Sequence, residues 1–407
     1  MKKTIVWLLA VIMMLSLFAG CATKTEKPKD TKQDTQNETA ATTTQDAEET
    51  TDTAGSIYIG ISCPITGDSA EYGQQFTTAA KITADEINAN GGINGKMLEF
   101  IVMDSKSDAK ESCDIARVFV DNPDVVAVIG DFTSTCSMAA APIYQEAGLT
   151  MISPSASHVD YAPIGDYIFG TMAMQADESR FQAKSEKKFQ GHDSTAILYI
   201  NNDWGVLAEE AFNEGASNVG LEVTACESYV AGETDFKTVL TKLRQTNPDV
   251  LTILGQYAEA SSVVNQCAEL GWDIPIDVAG SSLSQQFIDL CSEHANGIYS
   301  QAPFFYEESD PAQAAFGAKF KAELGYDPTV FGCIMHDTVE LMALAIGTAS
   351  SDTDRTAVRD AIRDYEGYSG LMGPIIFNED GAVIRDFRVA VIQDNAWVPV
   401  TEYGALE

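Results

Sequence analysis

An α/β fold of two doubly wound, parallel-sheet lobes is what this chain predicts, and three observations predict it. Short β-rich runs alternate with helical patterns in two successive series. The strands read as near-continuous apolar runs, as in Val125-Val126-Ala127-Val128-Ile129, which indicates a parallel sheet covered by helices on both faces. Of the 407 residues, roughly 350 follow a polar N-terminal stretch, too many for one core and about right for two.

In chain order, residues 1–20 read as a lipoprotein signal peptide. Lys2 and Lys3 open it, an apolar run from Ile5 to Phe18 follows, and Leu17-Phe18-Ala19-Gly20-Cys21 supplies the small residues before a cysteine. About 15 apolar residues are too few for a comfortable membrane span. Cleavage is expected before Cys21, with a diacylglyceryl thioether on it. Residues 21–55 are mostly Thr, Ala, Gln, Asp, Glu and Lys without an aromatic, so almost nothing offsets the entropy of ordering them and a disordered tether is predicted.

The first series runs Ile57 to Ser62, Gln74 to Asn88, Leu98 to Met103, Lys110 to Val120, Val125 to Ile129, Met138 to Ala147, and Met151 to Ile152. The second runs Ala196 to Ile200, Leu207 to Asn218, Leu221 to Thr224, Asp235 to Gln245, Val250 to Leu254, Ala258 to Leu270, and Ile276 to Ala279. Asn90-Gly91-Gly92, Gly148 and Gly271 stop helices, and Asn247-Pro248-Asp249 turns a helix back into a strand. Ligands of open α/β sheets sit beyond the carboxyl ends of strands. The loops of interest are therefore 63–72, 131–137, 153–160, 201–205, 256–260 and 280–285.

Composition excludes several functions. A net charge of −35 opposes nucleic acids and anionic membrane surfaces. Besides Cys21 there are seven cysteines, an odd number with no C-x-x-C spacing, and the four histidines are scattered, so no metal site is expected. Cys113 and Cys136 are the best candidates for one disulfide. No nucleophile elbow, phosphate loop, H-E-x-x-H or dinucleotide fingerprint occurs, so neither an enzyme nor a cofactor is predicted. Ser155, His158 and Asp160 share one loop and read as polar loop residues, since a triad is assembled from distant segments.

What the chain does carry is a pair of hydroxyl-rich openings after neighbouring strands: Gly130-Asp131-Phe132-Thr133-Ser134-Thr135-Cys136-Ser137 and Ser153-Pro154-Ser155-Ala156-Ser157. Unpaired N–H donors at a helix start, joined by Ser and Thr hydroxyls, bind a carboxylate without arginine. Tyr72, Trp204 and Tyr257 each lie in one of the loops named above and together would line a cleft between lobes.

These residues resemble the extracytoplasmic solute-binding proteins of ABC transporters, in the leucine/isoleucine/valine-binding group with the type I periplasmic-binding fold. The resemblance rests on Pro64-Ile65-Thr66-Gly67, Tyr72-Gly73, Asp85 through Lys96, Ala127-Val128-Ile129-Gly130, Pro142-Ile143-Tyr144, Ile152 through Ser157, Asp235-Phe236, Asn247 through Val250 and Met372-Gly373-Pro374. It implies two lobes joined by three crossover segments: 56–174 with 303–384, and 175–302 with 385–407. It also implies that Ser134, Thr135 and their loop amides, with Ser155, Ala156 and Ser157, hold a carboxylate. Tyr72 and Trp204 would wall the ligand, and Tyr257, Ser281 and Ser282 would reach it from the second lobe.

The chain departs from that family at two places. The positions matching a bracing disulfide are Ser107 and Thr133, which leaves a displaced Cys113–Cys136 bridge as the alternative. The loop where the family places an acid for the ligand's ammonium reads Gly280-Ser281-Ser282-Leu283-Ser284. Either Asp203 or Glu259 replaces that acid, or the ligand is not an α-amino acid, because a buried unpaired ammonium costs several kcal/mol. The expected role is an extracytoplasmic receptor, anchored to the cell membrane through Cys21, that captures an amino acid or related small carboxylate for an ABC permease. The rival expectation is a sensor of amides or other small effectors that signals to a membrane or regulatory partner.

Overall fold

The computed structural model describes residues 55–406, so the expected signal peptide, Cys21 and nearly all of the expected tether lie outside the described residues. The first series folds as β1 (Ser56–Cys63), α1 (Ala70–Ala89), β2 (Met97–Asp104), α2 (Ala109–Asp121), β3 (Val125–Gly130), α3 (Ser134–Ala147), β4 (Thr150–Ser153) and β5 (Ile168–Gly170). These strands form one parallel sheet in the order β2-β1-β3-β4-β5. All six residues of β3 are buried, as its unbroken apolar run requires of a strand covered on both faces.

The chain then crosses through α4 (Gln175–Ser185) into β6 (Ser194–Ile200), α5 (Asp203–Val219), β7 (Glu222–Tyr229), α6 (Lys237–Arg244), β8 (Val250–Leu254), α7 (Tyr257–Glu269), β9 (Ile276–Val278), α8 (Gln285–Cys291) and β10 (Tyr299–Ala302). It continues through α9 (Pro311–Leu324), α10 (Val330–Thr348), α11 (Arg355–Arg363) and the short pair β11 (Ser369–Gly370) and β12 (Gly373–Pro374). It ends with β13 (Arg388–Gln393) and β14 (Ala396–Pro399). The second sheet has the order β14-β13-β10-β9-β8-β6-β7, parallel except for its last two antiparallel strands.

Although they follow the second series, α9 and α10 pack on α1 of the first lobe. The Arg355 guanidinium at the start of α11 donates to the carbonyls of Val120, Asn122 and Val125, fastening that helix to the end of α2 and the start of β3. α10 is apolar and long enough to cross a membrane, yet 83% of its most apolar window is buried inside the protein, where it serves as a core helix. Thr329 starts it, accepting from the Phe331 amide.

Both sheets reverse strand order beside their first strand, at β1/β3 and at β6/β8. Such a reversal parts the loops that leave the carboxyl edge and opens a crevice there.

Candidate functional site

The two crevices face each other across a cavity of about 60 Å³. Its first-lobe wall is Phe132, Thr133 and Ser134 after β3, and Ser155 and Ser157 after β4. Its second-lobe wall comprises Asn202 and Trp204 after β6, Gln256 after β8, Gly280 and Ser281 after β9, and Gln175 and Glu178 of α4. Met172, Ala302, Pro303, Val330 and Phe331 close it. On a scale where one water needs about 10–15 Å³, this is room for about four to six waters, hence for a small molecule.

Local sequence builds the first wall. Thr133 is the N-cap of α3 and accepts from the Cys136 amide at 3.2 Å, which leaves the first-turn amides at Ser134 with no partner inside the helix. Ser134 Oγ accepts from the Ser157 amide at 3.3 Å, linking the two hydroxyl loops. Ser155 Oγ donates to the Phe132 carbonyl at 2.8 Å and so holds the loop that carries Ser134. His158 Nδ1 accepts from the Asp160 amide while Ser155 Oγ is spent on backbone carbonyls, so the three residues form no relay.

Behind this wall lies Asp131, fully buried. Its carboxylate accepts from Ser62 Oγ at 2.8 Å, Ser105 Oγ at 2.9 Å, Ser112 Oγ at 2.9 Å and the Phe132 amide at 2.7 Å. Its carbonyl accepts from Ser153 Oγ at 2.8 Å. One residue thereby ties β1, α2 and β4 to the cavity loop. Burial raises its carboxyl above the ordinary value, against the pull of those hydrogen bonds. Gly130 makes this approach feasible: at φ +136° its missing Cβ would stand 2.1 Å from the Ser62 carbonyl.

The candidate disulfide is not formed. Cys113 and Cys136 are both free thiols, and Cys113 Sγ donates instead to the Ala139 carbonyl at 3.3 Å, about one turn past Cys136. The loop is braced by the Asp131 carboxylate and three serine hydroxyls, which join the same segments without a covalent bond.

Ser134, Ser155, Ser157, Trp204 and Ser281 of the expected site residues line the cavity. Tyr72 does not. It is fully buried, stacked on Phe132 at 3.9 Å between ring centres, and its hydroxyl crosses the lobes to donate to the Ser281 carbonyl at 2.7 Å. Tyr257 packs edge-on against it at 5.3 Å, one layer out. Ser69 Oγ makes a second crossing to Gln256 Oε1 at 2.9 Å. Ala156 and Ser282 are buried away from the cavity, and Thr135 lines a surface groove with His158 and Asp203.

Neither expected ammonium partner faces the cavity. Asp203, the first residue of α5 after the N-cap Asn202, is exposed in that outer groove. Glu259 is buried outside the cavity, accepting from the Gly232 amide at 3.0 Å.

The carboxylate that does line the cavity is Glu178. Its Oε1 accepts from the Gly280 amide at 2.7 Å and from Gln301 Nε2 at 3.2 Å. Burial pushes its carboxyl up to about 7, the two hydrogen bonds acting in the opposite direction. Gly280 permits the contact, since a Cβ there would lie 3.0 Å from Glu178 Oε1 and 2.5 Å from the Gln301 carbonyl. A sequence reading misses Glu178 because, beside Asp177, it looks like first-turn helix charge; only packing separates the exposed Asp177 from the partly buried Glu178.

Residues 56–396 match the family model described as periplasmic binding protein. The chain is 26% identical over 345 residues to the leucine-, isoleucine-, valine-, threonine-, and alanine-binding protein of Pseudomonas aeruginosa, covering 83% of this chain and 90% of that one. It superposes with a TM-score of 0.78 and 26% identity on the branched-chain amino acid transporter substrate binding protein LivJ of Streptococcus pneumoniae in complex with isoleucine, over 85% of this chain and all of that one. The same fold, at 18% identity and a TM-score of 0.78, occurs in a solute binding protein of R. palustris in complex with benzoate, over 86% of this chain and 97% of that one. Two opposed switch-point crevices, a hydroxyl-lined cavity between them and a family match across both sheets lead to one conclusion: this chain belongs to the periplasmic binding protein family.

Proposed function

We propose that this protein is an extracytoplasmic receptor, lipid-anchored through Cys21, that binds an amino acid or related small carboxylate between its lobes and delivers it to an ABC permease. The observation that carries this reading is the first-lobe wall, where Ser134 at the opening of α3 joins Ser155 and Ser157 with no lysine or arginine among the cavity residues. Helix-start amides and hydroxyls are dipoles suited to a carboxylate. Relatives named for binding branched-chain amino acids, threonine and alanine support the ligand class.

The reading takes residues 56–174 with 303–384 as one jaw and 175–302 with 385–407 as the other, closing by hinge motion on the ligand. Tyr72 and Ser69 latch the closed form from the first jaw, and the permease reads that shape. The protein performs no chemistry on its cargo. Thermal shift across amino acids, short-chain and aromatic acids, and amides tests it, since a ligand at 100 times its Kd adds about 2.7 kcal/mol of stability. Ser134→Ala with Ser157→Ala is expected to abolish most of the shift given by the best carboxylate. An undiminished shift in that double variant refutes the carboxylate assignment.

A further inference from the structure

Building on that function, we propose that Glu178 is the cationic-group receptor of the site, so that the ligand is an α-amino acid whose ammonium is paired by the crossover helix α4 and not by the loop after β9. Among the cavity-lining residues Glu178 is the one ionisable side chain. Its placement is specific. Oε1 is held by the Gly280 amide and Gln301, while Oε2 accepts no hydrogen bond from any described residue and is not sealed from the cavity. A carboxylate ligand seated on the serine wall would bring a second negative charge into a cavity that contains no cation. An ammonium on the same ligand removes that conflict, because it supplies N–H donors and the opposite charge to Oε2.

The loop after β9, Gly280 to Ser284, carries no acid, and its backbone serves Glu178 instead. Gly280 has no side chain, so its amide can approach and donate to the Glu178 carboxylate at 2.7 Å. Charges around Glu178 do not satisfy it in the ligand's absence. On its own helix Asp177 and Arg180 pair with each other, and Arg180 also takes Glu214 of α5. Asp277 of β9 adds repulsion, as its own carboxyl is raised partly by Glu178, and Glu186 beyond α4 is in turn raised by Asp277. β10 presents the neutral Gln301, and the loop after β9 presents no ionisable group.

The test is calorimetric titration of the full-length protein in detergent with the tightest of alanine, valine, isoleucine, leucine and threonine, and with the deamino acid of the same skeleton, for wild type and Glu178→Gln. Glutamine retains an oxygen for the Gly280 amide but no charge, so a purely structural role is preserved by it. The amino acid is expected to bind about 10- to 100-fold more weakly to the variant, and the deamino acid equally well or better. Wild-type affinity for the amino acid should rise as pH goes from 6 to 8, whereas that for the deamino acid should fall. Glu178→Asp, keeping the charge at shorter reach, should retain the rising slope at reduced affinity.

Amino-acid affinity within twofold of wild type in Glu178→Gln, or equal loss for both ligands, overturns the assignment while leaving the receptor function intact. Wild-type binding of the deamino acid but of no amino acid also overturns it alone. Failure of wild type to bind either class overturns both readings.

Discussion

The two walls of the cavity arrange their polar groups in opposite ways. On the first-lobe side the carboxylate, Asp131, stays a layer behind and spends its oxygens on Ser62, Ser105, Ser112 and the Phe132 amide, so that only dipoles reach the cavity. On the second-lobe side the carboxylate, Glu178, stands in the wall itself and keeps one oxygen unspent. A buried acid whose lone pairs are filled is a strut. An acid that stands in a cavity wall with an unspent oxygen is placed to meet a ligand. The difference is set by how many donors surround each carboxylate, not by the residue type.

The comparison is broken most severely by removing the strut. Asp131→Ala leaves three buried serine hydroxyls without their acceptor and unties β1 and α2 from the cavity loop, and is expected to cost about 3–5 kcal/mol of unfolding free energy in urea titrations. A loss under about 1 kcal/mol would mean that the serines bond elsewhere and that Asp131 braces nothing.

Next in size is the pH dependence of the empty protein. Burial raises Glu71 and Glu178 each to about 7, and raises Asp277 and Glu186 as well. A carboxyl with a folded value above its unfolded one stabilises the fold fully below about pH 4, and that contribution is lost as pH rises through about 7. The melting temperature without ligand should therefore fall between pH 5 and pH 8, with about 1–3 kcal/mol of that loss coming from Glu178, and Glu178→Gln should flatten the slope accordingly. A rising melting temperature over that window contradicts the burial of these acids.

A sharper probe of the second wall alone is Gly280→Ala. Its Cβ would press on the Gln301 carbonyl and on Glu178 Oε1, so about 1–3 kcal/mol is expected to come off the liganded form, seen as roughly 10-fold weaker binding. The smallest expected effect lies between the walls. Tyr72→Phe keeps the stacking on Phe132 but removes the bond to the Ser281 carbonyl, which should raise the ligand dissociation rate by about 2- to 10-fold in stopped-flow displacement, corresponding to about 0.5–1.5 kcal/mol.

Much of the scaffold is legible in the sequence. Apolar continuity located β3 within one residue, from Val125–Ile129 to Val125–Gly130, and Gly148 does end α3, in the left-handed conformation at φ 63°. The rule that ligands gather beyond strand ends singled out loops that contribute Ser134, Ser155, Ser157, Trp204 and Ser281 to the cavity. These features are local: strand burial, helix caps and turn residues are fixed by neighbours along the chain.

What the sequence determined by itself, then, is the succession of elements, the loops that open at the carboxyl edges, and the absence of an acid from the loop after β9. Tertiary structure alone decided which side chains those loops turn inward. Tyr72 lies behind Phe132 instead of in the cavity, Thr135, one residue from Ser134, borders a separate groove, and Cys113 bonds to a carbonyl instead of to Cys136. It also decided that Glu178, not Asp203 or Glu259, is the acid in the cavity. The reason is that a carboxylate's role depends on the dipoles and charges within a few ångströms of it, and here these come from Gly280 and Gln301, more than a hundred residues away along the chain.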